Sequence, residues 1–307
     1  MAFENGWNDW YLTRDLEDFL TRAGEFLRSR PARHTVHLTV TETLRSRGLH
    51  VYGDADPEFG VLTGKEEKAP TGEGGEEERG EEAARVRGTF LHTPPYPLGL
   101  TSLTEREADA LAARLADLGR EPSGVLADRD TAAAFAEAWR RRTGAEVTLR
   151  QRQRLYRLGE LTVPQPVPPG RARRAGETDR KLLARWFEEF CTDSGEAAAR
   201  DPEEWADERV ERGSVLLWET PDGTPVAMAG TTPEIAGQVR VAGVYTPAHL
   251  RRRGYAGAVT AAVSRAAREA GAQEVLLFTD LANPTSNGLY QRIGYRPVSD
   301  FAVYAFG

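Results

Sequence analysis

Apolar residues fall at helical spacing in some stretches of this chain and run together in others, and the two kinds of stretch alternate. Leu182, Leu183, Trp186, Phe187 and Phe190 lie three and four apart, which predicts a helix over Asp179–Phe190. Ser214–Trp218 and Pro225–Thr231 are apolar runs separated by Pro221, Asp222 and Gly223, residues that turn a chain, so a hairpin is expected. A strand over Gln238–Tyr245 comes next, then a helix to about Ala270. A continuous apolar strand at Val275–Phe278, a short helix over Asn287–Ile293 and a strand at Phe301–Phe306 complete the second half. The first half repeats this order more faintly. Helices are expected over Asp15–Leu27, Thr104–Leu118 and Thr131–Arg142, and strands at Phe59–Leu62, Gly88–Leu91, Gly124–Asp128 and Gly144–Thr148.

Two segments break the pattern. From about residue 64 to 83, glutamates alternate with glycine and almost no apolar side chain occurs. Such a stretch cannot offset its ordering entropy by burial, so a disordered acidic surface loop is expected. Residues Val163 to Gly170 carry four prolines, which remove backbone donors and hold the chain extended. They read as a semi-rigid linker. The chain then divides into a domain over 1–162, a linker over 163–170 and a domain over 171–307. The fold class is α/β, each domain a mixed twisted sheet flanked by helices.

Length and charge narrow the function. A chain of 307 residues suits two ordinary domains. The net charge of -7 argues against a nucleic-acid partner. The one cysteine, Cys191, excludes an intramolecular disulfide and a cysteine-based zinc site, and fits a reducing cytoplasm. Met1–Gly6 has neither a basic leader nor an apolar core, and no run of about 18 apolar residues occurs, so no membrane partner is expected.

The chemistry concentrates in Val241–Gly257. A strand leads through Arg251, Arg252 and Arg253 into a helix that begins at Gly254 or Tyr255. A helix start leaves peptide N–H groups unpaired and its dipole favours an anion. Gly254 and the small Ala256 let a diphosphate approach the main chain, and the arginines add positive potential. Ala256, Val259, Val263, Ala266 and Ala270 would face a sheet. Neither a dinucleotide-binding Gly-x-Gly-x-x-Gly nor a Gly-Lys-Ser/Thr phosphate loop is present.

Arg251-x-x-Gly254-x-Ala256 resembles the Gln/Arg-x-x-Gly-x-Gly/Ala motif of the GNAT acetyltransferase superfamily. Asn283 to Tyr295, with Leu289-Tyr290 and Gly294-Tyr295, resembles the segment after that family's fifth strand. The motifs cover the second domain only, and the whole chain looks like a tandem member with a degenerate first copy. The resemblance implies acetyl-CoA as co-substrate, no metal, and N-acetyl transfer by direct attack of a small-molecule or polypeptide primary amine in a ternary complex. It implies that the fourth and fifth strands splay around the pantetheine arm, with a bulge at Gly243. Main chain at Gly243, Val244 and Tyr245 would bind the arm, with the Val244 amide as oxyanion donor. The turn Arg251, Arg252, Arg253, Gly254, Tyr255 and Ala256 would hold the diphosphate. Asn283 and Asn287 would contact the coenzyme, and Tyr290 would protonate the leaving thiolate.

Each residue also has an ordinary reading. The arginines suit a solvated turn, Asn283 a turn residue, Asn287 an N-cap, Tyr290 a core aromatic and His249 a surface loop. The fourth strand lacks the glutamate that many relatives use as base. Glu188, Glu189, Asp193 and Glu234 are candidates for a water-relayed substitute, and Glu188, Glu189, Asp193 and Glu196 would make an acidic wall for a cationic acceptor. Cys191 lacks a neighbouring histidine and reads as passive. The first domain has His92–Leu100, three prolines and no Arg-x-x-Gly, where a cradle would lie. It is expected to bind no coenzyme and to shape the acceptor site or a homodimer. The alternative function is a non-catalytic acyl-CoA-binding regulator. Aminoacyl transfer from a charged tRNA, known in other tandem relatives, is disfavoured by the acidic balance.

Overall fold

The structure, a computed structural model, describes residues 9–64, 85–194 and 201–307. The expected acidic loop, the N-terminal Met1–Gly6 and Glu196 lie outside them. Contacts group the chain into two compact units. One comprises Met1–Arg30, Thr43–Gln151 and Phe301–Gly307, the other Pro31–Glu42 and Arg152–Asp300. The spatial division therefore differs from a cut at the proline-rich segment.

The first unit contains β1 (Asp9–Thr13), α1 (Leu16–Ser29), the last turn of α2 (Thr35–Arg47), β2 (Glu58–Gly64), β3 (Arg85–His92), β4 (Leu98–Leu100), α3 (Glu105–Asp117), β5 (Gly124–Asp128) and α4 (Arg129–Thr143). Its strands pair in the order β1-β2-β3-β4-β5, antiparallel except for β4 and β5, which are parallel. Local signals set these elements well. Asp15 caps α1 by accepting from the amides of Glu17 and Asp18, as expected of an acidic residue before an amphipathic run.

The second unit contains the first two turns of α2, the second part of β6 (Val147–Leu158), β7 (Arg171–Arg174), α5 (Arg180–Ser194), α6 (Pro202–Glu211), β8 (Val215–Glu219), β9 (Pro225–Thr231), β10 (Gln238–Tyr245), α7 (Tyr255–Glu269), β11 (Glu274–Asp280), α8 (Pro284–Ile293) and the first half of β12 (Tyr295–Phe306). Its strand order is β6-β11-β10-β9-β8-β7, with only β10 and β11 parallel. Val239, Val241, Val259, Val263, Leu277, Tyr290 and Ile293 belong to one buried cluster, which seats α7 and α8 on the sheet. Among the described residues, no helix is long and apolar enough to cross a membrane.

β6 and β12 each begin in one unit and end in the other. Gln153–Arg157 of β6 pair antiparallel with β11, and Phe301–Ala305 of β12 pair antiparallel with β5. The proline-rich segment is not a free spacer. Leu161 and Val163 pack on the second unit's core, and the Thr162 amide donates to the Ile293 carbonyl at 2.8 Å.

The apolar face of α7 is rotated from the expected one. Val259, Val263 and Ala267 are buried, whereas Ala266 and Ala270 are exposed. The buried stripe includes Thr260 and Ser264, and the Ser264 hydroxyl lies 2.7 Å from that of Tyr295 inside the core.

Candidate active site

The end of β10 leaves its neighbours. Its parallel ladder with β11 runs from Gln238 to Val241 and stops, although β11 continues to Asp280. On the other side, Ala242 pairs with Gly230 and Tyr245 with Met228, so β10 carries one residue more than β9 across this stretch. That is a β-bulge, and Gly243 within it has φ +65, where a side chain would be strained. The sequence-expected bulge and parting of the strands are both present. The main chain of Gly243 and Val244 stands outside the paired registers of both ladders.

Beyond β10 the chain coils tightly into α7. Arg252 has φ +66 and Gly254 φ +85, left-handed residues at alternate positions, the kind of backbone from which anion-binding concavities are made. Gly254 is the N-cap of α7 and supplies no side-chain cap. The first helical bond runs from the Ala258 amide to the Gly254 carbonyl at 3.0 Å, so the amides before it point from the helix start without an intrahelical acceptor. Residues Arg251 to Gly254 are exposed, and Tyr255 and Ala256 half-buried.

The three arginines differ. Arg251 braces the turn: Nε donates to the Thr246 carbonyl at 3.0 Å, its guanidinium pairs with Asp193, and it lies 5.9 Å from the Tyr245 ring centre. Arg253 donates to the His249 carbonyl at 3.3 Å. Arg252 makes no such bond among the described residues and is the cation open to a ligand. His249 is exposed, in keeping with a surface loop. Cys191 is buried on α5.

Thr246 adds a signal that sequence alone did not carry. It is 8% exposed at the end of β10, and its hydroxyl has no hydrogen-bond partner among the described residues. A buried orphan of this kind is costly unless something supplies the missing bond. The turn, the parted strands and this hydroxyl together fit a phosphorylated thioester carrier.

α8 comes after β11 and brings Tyr290 into the second unit's core. Tyr290 is 8% exposed and stands edge-on to Tyr295, centroids 6.1 Å apart. Burial pushes its phenol up to about 12, so it stays protonated at neutral pH. The two asparagines serve α8 itself. Asn283 caps it by accepting from the Ser286 amide at 3.0 Å. Asn287 donates to the Asp280 and Asn283 carbonyls at 2.7 and 2.8 Å and accepts from the Tyr156 hydroxyl at 2.9 Å. Gln291 also reaches that hydroxyl, at 3.1 Å. Tyr156 of β6 was missed because its partners lie far along the chain and no motif marks it.

Of the acidic candidates, Glu189 reaches the site. It accepts from the Tyr245 hydroxyl at 2.8 Å, and Tyr245 immediately follows Val244. Burial first, and the Glu189 bond second, push the Tyr245 phenol up to about 12. Asp193 is committed to Arg251, and Glu188 is exposed on α5. Glu234 sits before the start of β10, roughly 20 Å of strand from Val244 at about 3.3 Å per residue. Trp186, Phe187 and Trp205 pack behind Tyr245, with Phe187 and Trp205 stacked at 4.3 Å.

Residues 180–295 match a family model described as the Acetyltransferase (GNAT) family. Among solved structures, the chain is similar to an acetyltransferase of the GNAT family from Colwellia psychrerythraea, with TM-score 0.59 and 8% identity over 97% of this chain and 100% of that one. It is similar to a GCN5-related N-acetyltransferase from Sphaerobacter thermophilus, with TM-score 0.59 and 15% identity over 96% and 94%. A Drosophila protein gives TM-score 0.57 and 14% identity over 99% of both chains. No curated protein sequence matches. At these identities the structures speak for the fold. The matched residues 180–295 hold β10, the α7 turn and Tyr290.

Proposed function

We propose that the second unit transfers an acetyl group from acetyl-CoA to a primary amine on a small molecule or a polypeptide. The observation that carries this reading is the uncapped, cationic start of α7 beside the parted ends of β10 and β11. The amides from Arg252 to Ala256, with the Arg252 side chain, suit the two linked phosphates. Main chain at Gly243, Val244 and Tyr245 suits the pantetheine arm.

The chemistry depends on where charge develops. A neutral amine attacks the thioester carbonyl carbon, and the Val244 amide stabilises the oxygen as it becomes negative. Collapse breaks the C–S bond and expels sulfur towards Tyr290. Full proton transfer from a phenol near 12 to an ordinary thiolate is uphill by roughly 5 kcal/mol. Tyr290 therefore contributes chiefly a hydrogen bond to the departing sulfur, with the proton finally supplied by water. Glu189, through the Tyr245 hydroxyl, is the acceptor for the amine's proton, taking the place of the glutamate missing from β10. Holding both reactants adds several kcal/mol through orientation.

Two measurements test this. Acetyl-CoA binding by calorimetry should saturate at one site, and a panel of amines should contain one that drives thiol release. Tyr290→Phe should lower kcat about 100-fold while coenzyme affinity changes less than about threefold. Coenzyme binding with no turnover on any amine supports instead the acyl-CoA-binding regulator, which the lack of a β10 glutamate favours.

A further inference from the structure

The segment Leu161–Gly170 runs alongside the start of α7. It is pinned at one end by the Thr162–Ile293 bond and at the other by the Trp218 Nε1 donor on the Pro169 carbonyl at 3.3 Å. Between these anchors it touches the turn that carries the proposed phosphate site. A Cβ placed on Gly257 would lie 3.4 Å from Pro164 Cγ, and one on Gly254 would lie 3.5 Å from Pro168 Cδ and 3.9 Å from the Pro166 carbonyl. Gly254 nevertheless stays exposed, so the strap borders the turn and does not seal it.

The border has a definite chemistry. Pro168 is buried, Pro166 is exposed, and Val167 between them is 43% exposed, a large apolar side chain left in water. Prolines fix the backbone and offer no N–H, so the rim is preorganised. A rigid apolar rim next to a cationic helix start is complementary to a flat ring that carries phosphates.

We propose that Pro166, Val167 and Pro168 form the wall against which the nucleotide end of the acyl carrier lies, with Val167 the residue that favours carriers possessing a nucleotide. The proposal rests on the reading of the α7 turn as the phosphate site. In the bound state the ring covers Val167 and removes apolar surface from water, while the α7 amides take the phosphates.

The test uses the full chain and two probes: acetyl-CoA, and S-acetyl-4′-phosphopantetheine, which keeps the thioester and one phosphate but lacks the nucleotide. Val167→Asn removes apolar contact without adding charge and should weaken acetyl-CoA binding about fivefold by calorimetry, and Val167→Trp should tighten it about threefold. Neither should alter affinity for the nucleotide-free probe. Val167 is exposed, so both variants should keep the wild-type thermal midpoint. Equal changes for both probes, no change for acetyl-CoA, or tighter binding by Val167→Asn would each overturn the wall; the last would make the strap an obstruction. A wild-type chain that binds neither probe would sink the phosphate-site reading itself, an outcome separate from these.

Discussion

Each unit places a helix between two parallel strands, and the two helices begin in opposite ways. In the first unit, β4 leads through Thr101–Thr104 into α3, and β5 returns parallel to β4. In the second, β10 leads through the arginine turn into α7, and β11 returns parallel to β10. Thr104 closes α3 with a capping box: its hydroxyl accepts from the Glu107 amide at 3.3 Å, and Glu107 accepts from the Thr104 amide at 2.8 Å. Glu105 and Glu107 put negative charge in that first turn, and Arg87 pairs with Glu107 at 3.0 Å. α7 has no side-chain cap, no acid in its first turn and three arginines before it. The stretch to set beside the α7 turn is therefore Thr101–Thr104, not the His92–Leu100 segment that the sequence suggested. The same strand-helix-strand arrangement leaves its first amides without a side-chain cap in one place and caps them internally in the other.

That contrast can be broken most sharply at Gly254. Gly254→Asp would put a negative charge at the start of α7, as Glu105 and Glu107 do in α3, at the cost of some backbone strain because φ is +85 there. Acetyl-CoA affinity should fall about 100-fold or more, with the fold intact by circular dichroism. Unchanged affinity would show that the α7 start does not hold the phosphates.

A smaller effect should appear in alkali. Tyr245, Tyr290 and Tyr295 all belong to the second unit, and burial raises the phenol of each. A folded-state value above the unfolded one gives stability that is full below about pH 10 and lost as pH rises towards the folded value. For Tyr245 and Tyr290, both near 12, that is roughly 3 kcal/mol each. Hydrogen exchange between pH 9 and 11 should therefore loosen α8 and β10 before α3 and α4. The reverse order would show that these phenols are not the sensitive groups.

The smallest effect lies at the opposite helix start. Glu107→Ala removes half of the α3 capping box and the Arg87 pair, and should lower urea stability by about 1–2 kcal/mol. Coenzyme affinity should not move. A loss of affinity equal to that of a second-unit variant would show that α3 takes part in binding.

Most of the second unit was legible because its signals are local. The periodicity of α5, the apolar run of β11 and the glycine before α7 act through neighbouring residues. α2 was not legible: Thr35, Val36, Thr39, Val40, Thr41 and Thr43 are β-branched, and such residues favour strands. The helix forms with the Thr39 and Thr41 hydroxyls bonded back to the Thr35 and His37 carbonyls, and with Thr35 donating to Gln238 at 2.9 Å across 203 positions. β7 is four residues of charge and alanine, an edge strand without an apolar pattern. The roles of the asparagines were half legible. Their place at the start of α8 is set by residue type, but the occupation of Asn287 by Tyr156 is not.

The amino-acid order determined by itself that a short strand would end in a cationic turn with an uncapped helix behind it, because glycine, arginine and chain direction act within a few residues. Only the tertiary structure decided that β10 parts from β11 at Val241, that Glu189 rather than Glu234 reaches the end of that strand, and that the proline-rich segment lies beside Gly254. Those facts depend on ladders, packing and approaches between residues far apart in the chain, and such contacts carry no local code.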